Sequence, residues 1–254
     1  MLPADRCRVS TSSFNGATAK THSYYIWLVT LVSMPQWPPI SAGEYPEEMP
    51  PKLVALLPSL HTACVMVTSA VYEHELYRAL GRDQSFIDKV NGTAVAPAID
   101  LLRTCISRSL ILTLASLFKS DPKAVNLRHI LNGLCDPRYT GFFVTQHQQL
   151  HPPLNTEHQR ARLVRMQRRL NREPLRGCIQ RLDDLRDQGV AHVDRWPKAD
   201  FEWPFFRDVS VALAAAANIT VTALHYMTTR RFDVRAATQH GVMLRQAFTQ
   251  AVRP

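Results

Sequence analysis

Glycine is scarce in this 254-residue chain, which holds only nine, and segments that alternate apolar and polar residues are short. Both shortages count against strands and the tight turns that join them. Cysteine is scarce as well: Cys7, Cys64, Cys105, Cys135 and Cys178 are odd in number and far apart. None forms a Cys-x-x-Cys pair, so neither a zinc knuckle nor a disulfide framework is indicated. Cys64, Cys105 and Cys178 fall within helical patterns and read as small buried hydrophobes. A reducing cytoplasm is the expected compartment. No phosphate-cradling Gly-rich loop, Gly-x-Ser-x-Gly elbow or Cys/His nucleophile pattern occurs. His129, His147, His151 and His225 are not read as a ligand set. No metal and no cofactor are therefore expected.

Acidic residues are also in short supply, 21 against 30 Lys+Arg, for a formal charge of +9. Most of the positive charge is Arg, which suits phosphate forks, although coding bias in the source genome gives the same result. Two readings of the balance stand side by side. One is an anionic partner, nucleic acid or a phosphorylated ligand, gathered by the protein's field. The other is net charge that serves solubility alone.

What is abundant is apolar sequence at helical spacing; hydrophobic residues make up 46% of the chain, enough to bury a proper core. Residues 60–80 carry such a pattern, with Gly81 as a stop. Residues 93–120 carry the longest one, with Pro97 near its start, where proline is tolerated. There Ile99, Leu102, Ile106, Leu110, Leu114 and Leu117 make a continuous stripe. Residues 124–134 form a shorter amphipathic helix, and 136–153 are less regular. A long polar helix starts at Thr156, another runs from Pro174 to Gly189, and 208–230 is apolar almost all round, as a buried helix would be. A last helix covers 234–252. The expected fold is all-α, an antiparallel helical bundle without internal repeats.

Residues 1–51 differ. The apolar run at 24–34 (YYIWLVTLVSM) is too short to cross a bilayer, so no stable membrane anchor is expected. The segment before it is long and poor in positive charge, and no small-residue cleavage pattern follows closely, unlike a signal peptide. The Pro-rich stretch 35–51 reads as an extended linker. Residues 1–51 are thus an irregular N-terminal extension or linker ahead of a helical domain at 52–254. Alternatively, they precede a natural translation start at Met34 or Met49.

The sharpest local feature is LRDQGVAHVDR at 185–195, in which five residues separate Arg186 from His192. Spacing alone is weak, since Arg235 and His240 satisfy a loose form of the same pattern. In context, however, the segment resembles the Arg/polar/…/Ala-His/x/Asp signature of the HEPN superfamily, in its abortive-infection AbiU-type branch. Residues 100–120 (DLLRTCISRSLILTLASLFKS) resemble that family's long second helix, and 127–134 (LRHILNGL) the short helix after it. The resemblance covers about residues 55–230. It implies a HEPN-like bundle and a metal-independent RNA endonuclease acting as a toxin or phage-defence effector.

The chemistry follows from the residue types. Cleaving RNA without metal needs a base for the 2′-hydroxyl proton, an acid for the leaving 5′-oxygen, and positive charge on the phosphorane. His192 supplies base or acid near neutral pH, and Arg186 a permanent charge with several donors. A 2′,3′-cyclic phosphate and a 5′-hydroxyl are the expected products. Six positions turn an ideal helix by about 240°, so the two side chains do not share one helical face unless Gly189 breaks the helix. The resemblance also implies a homodimer that gathers two such motifs in one cleft; a separate reading adds a controlling antitoxin partner encoded beside it. Asp187 stands where the family usually has a polar residue, often Asn. It and Asp194 are candidate supporting residues that orient the pair, Asp194 also being read as an exposed helix-end acid. Arg165 and Arg169, in the dense basic run from Arg160 to Arg176, and Arg103 and Arg108, in the apolar helix, are candidate RNA contacts. The competing reading of the run is a solvated helix face, and that of Arg186 is a helix-end arginine paired with Asp183 or Asp184. The alternative function is a catalytically silent helical module that binds RNA, a nucleotide or a partner.

Overall fold

A computed structural model describes residues 49–119, 125–150, 153–187, 206–228, 238–243 and 246. The described residues are helical, with no strand among them. A short α1 (Pro51–Val54) leads into α2 (Leu57–Arg82), which is followed by α3 (Gln84–Val90) and α4 (Ala96–Phe118). Then come α5 (Leu127–Leu134), a 3-10 turn at Pro137–Tyr139, α6 (Thr140–Gln148), α7 (Thr156–Arg169), α8 (Leu175–Leu185) and α9 (Phe206–Thr228). Residues 24–34 and most of 234–252 lie outside the described residues.

Local chemistry sets most of these boundaries. Prolines occupy the first turns of α1, α2 and α4, where a missing N–H costs nothing. Asp83, Asn126 and Asn155 cap α3, α5 and α7, each side chain accepting from backbone N–H groups of the first turn. Gly81 does not stop α2, which runs on to Arg82 and gives way at Asp83.

The core lies between α2, α4 and α9, with α5 and α8 closing its sides. Leu60, Ala63, Val67 and Ala70 of α2 are fully buried, as are Leu114 and Leu117 of α4 and Ala212, Ala216 and Ala223 of α9. Small residues on α9 let its neighbours approach closely, which accounts for its apolar character nearly all round. The first half of α4 has a thinner partner. Ala96, Ile99 and Ile106 pack against a satellite cluster of Leu80, Phe86 and Val90, while Leu101 (66% exposed) and Leu102 (38%) face outward. The expected continuous stripe on α4 is therefore buried only from Leu110 onward, apart from those satellite contacts, because the first half of the helix has only that small cluster against it. Cys105 shares this outer side and is exposed, contrary to expectation, whereas Cys64 and Cys178 are buried. Burial pushes the Cys64 thiol up to about 12.

By length and composition, Pro51–Gly81, Ala96–Phe118 and Phe206–Thr228 are each apolar enough to cross a membrane. Between 39% and 56% of their most apolar windows is buried inside the bundle, so much of that character builds the core.

Polar contacts fix how the helices pair. Arg128 of α5 donates to the Leu170 carbonyl just past α7 (3.4 Å) and to Asn171 (2.6 Å). Arg160 of α7 donates in turn to the Cys135 carbonyl that ends α5 (3.3 Å), and Gln167 bonds Asn132 between them (2.7 Å). Each arginine satisfies carbonyls that the other helix leaves open at its C-terminus. His147 of α6 is fully buried, 2.9 Å from the Thr156 hydroxyl and 2.8 Å from the Tyr226 carbonyl of α9. Its desolvation holds the imidazole pKa below the usual value, so the ring is neutral.

Candidate functional site

Arg186 follows directly on α8, where the backbone stays helical (φ −56°, ψ −48°) and then widens into a π-type turn at 186–187. Leu182 and Leu185 bury the inner side of this last turn, and Arg186 lies beside them with its side chain only 14% exposed. Two carboxylates meet it. Its Nε donates to Asp187 Oδ1 at 2.8 Å, and Nη1 stands 3.0 Å from Asp183 Oδ1. The second contact is an ion pair without hydrogen-bond alignment, since both Nη1 and Oδ1 are buried and lack a bonded partner.

The electrostatics follow. The Asp187 hydrogen bond raises the Arg186 pKa further, so the guanidinium stays charged. Desolvation pushes Asp183 above the ordinary carboxylate range, opposed by Arg186 and by Lys119 at the end of α4. Asp187 is exposed and is a direct partner of Arg186. Asp184 accepts from Gln180 instead (2.8 Å).

His192 and Asp194 lie outside the described residues, as does Gly189. The expected RNA contacts divide. Arg103 donates to Asp100 one turn back (3.0 Å) and lies beside Gly81 of α2; Arg108 is partly exposed. Arg165 and Arg169 are exposed on α7. The carrying helices have different main neighbours, α4 packing on α2, α8 and α9, and α7 on α5, α6 and α9. Among the described residues, no three His, Cys, Asp or Glu side chains are placed to hold a metal ion.

Sequence reasoning missed a second charged cluster. Arg181 of α8 grips Asp208 of α9 with two bonds, Nη2 to Oδ1 at 2.6 Å and Nε to Oδ2 at 2.9 Å, while the Cys178 thiol donates to Oδ1 at 3.2 Å. Burial and the adjacent carboxylate both raise the Cys178 pKa, so the thiol stays protonated. It also missed His74, whose Nε2 is 2.9 Å from the Ser210 hydroxyl and whose ring stacks on Phe206. Ser210 is itself 2.9 Å from the Phe206 carbonyl, within donating distance, and His74 Nδ1 stands a loose 3.7 Å from Glu75. Those contacts join α2 to α9 and need no chemistry to explain them.

No family model matches the chain, and no curated protein or solved structure is significantly similar to it.

Proposed function

We propose that this chain is a metal-independent RNA endonuclease of HEPN type, acting as a toxin or phage-defence effector, with Arg186 and His192 as its catalytic residues. The observation that carries the proposal is the Arg186 guanidinium, a permanent charge held at the end of α8 by the exposed Asp187. In the proposed reaction His192 moves the proton between the 2′-hydroxyl and the leaving oxygen, while Arg186 stabilises the phosphorane. Homodimerisation would double the constellation, and an antitoxin encoded beside it would restrain it.

One observation favours a second reading, a catalytically silent RNA- or partner-binding module. Asp183 and Asp187 already flank Arg186, and two carboxylates oppose an incoming phosphate. The test is induced expression of wild type, Arg186→Ala and His192→Ala, following growth and total-RNA cleavage in buffer with chelator. Growth arrest and chelator-resistant cleavage, both abolished in folded variants, are expected. Equal behaviour of all three proteins would leave the binding module.

A further inference from the structure

From His158 to Arg172 the sequence contains six arginines and no acid. The fold sorts them. Arg160 is turned inward to the Cys135 carbonyl, on the side of α7 that buries Thr156 and Leu163. His158, Arg162, Arg165 and Arg169 recur at spacings of four, three and four, which places them along one face of a helix. Arg168 stands beside that row, and Arg172 extends it into the turn before α8. Arg165, Arg168, Arg169 and Arg172 are exposed and Arg162 partly so. Among the described residues, none of these five makes a side-chain hydrogen bond or ion pair. Glu173, the next acid, accepts from the Gly177 N–H at the start of α8 (3.1 Å).

We propose that this face of α7 is a docking surface for the sugar-phosphate backbone of RNA, read by charge and not by base sequence. From His158 to Arg169 the row spans about 16 Å of helix axis, long enough to follow several successive phosphates. Guanidinium forks match phosphate oxygens, and the stretch contains no lysine. A membrane surface fits less well. A helix that lies in a bilayer interface exposes a large apolar face, whereas α7 buries its apolar side in the bundle. The exposed large hydrophobics lie elsewhere, at Val54, Val65, Val95, Leu101, Leu102, Leu112 and Met243. The choice of RNA as occupant rests on the cleavage reading, but the surface itself involves neither Arg186 nor His192.

The test is fluorescence anisotropy of the full chain with a labelled, mixed-sequence 2′-O-methyl RNA, which cannot be cleaved through its 2′-oxygen, across a series of salt concentrations. Five phosphate contacts give a slope of log K against log salt of about −3.5, and Arg165→Ala/Arg169→Ala/Arg172→Ala should reduce its size by about 2. That is about a hundredfold weaker binding at 0.1 M salt, taking 1 M as reference. All three side chains are exposed, so the melting temperature should hold, whereas Arg186→Ala, which removes at most one phosphate contact, should change the slope by no more than about 0.7. An unchanged slope in the triple variant would overturn the proposal. Binding to phosphatidylserine vesicles that needs these arginines, without binding to RNA, would overturn it too. If the triple variant loses binding while wild type cleaves the same sequence as unmodified RNA, both readings stand; if wild type binds but leaves the unmodified RNA intact, only the cleavage reading fails.

Discussion

The Arg181–Asp208 pair joins α8 to α9, and its two ends are unequally placed. The carboxylate side chain is 6% exposed and the guanidinium 36%. Removing one partner of a fully buried pair costs about 3–5 kcal/mol, because a charge is left stranded. With the guanidinium partly in water and the Cys178 thiol still donating to Asp208, a lower figure applies here: about 2–3 kcal/mol for Arg181→Leu, which takes the guanidinium away from the buried carboxylate. Asp208→Asn keeps the shape, and Arg181 can turn its head to solvent, so about 1–2 kcal/mol is expected. The double variant leaves no uncompensated charge, only a neutral amide. It should cost no more than Arg181→Leu alone, a coupling of at least about 1 kcal/mol. Urea denaturation followed by circular dichroism measures all four proteins. Additive costs would refute the reasoning, since they would mean that the two groups do not hold one another.

Two further outcomes are expected. Because the folded His147 pKa lies below the 6.5 of a free imidazole, the unfolded chain takes up the proton first. Stability should be full above pH 6.5 and fall as the pH drops from there through the folded value; His147→Gln should flatten that limb in a pH series of melting curves. Gly241 lies where a Cβ would come within 2.9 Å of both Cβ and Cγ of Glu75 on α2. Gly241→Val should cost about 1–3 kcal/mol by overpacking, and a melting temperature equal to wild type would contradict that close approach.

The all-helical class was legible because α2, α4, α5, α7, α8 and α9 each keep a recognisable apolar side, and their bounds fall within a few residues of expectation. The sequence reading passed over α6 because one of its two buried side chains is a histidine, whose partners are a hydroxyl and a carbonyl far along the chain. No local pattern announces that burial. Cys105 and Leu102 were misjudged because periodicity says which residues share a face, not whether another helix covers it. At the candidate site, the pairing of Arg186 with Asp183 was readable from i, i+3 spacing. The division of the arginines into inward and outward sets was not, because it depends on where the α5 carbonyls end.

The crossed arginine caps of α5 and α7 also act as a gauge of length. Arg128 reaches Leu170 and Asn171 at one end, Arg160 reaches Cys135 at the other, and Asn132–Gln167 sits between. Sliding one helix along the other by a single residue, about 1.5 Å, would spoil both ends at once. Inserting a residue into either helix leaves one end engaged and frees the other. The interval between the two caps is therefore a place where insertions should not be tolerated, and the outward arginines of α7 inherit a fixed height on the bundle from it.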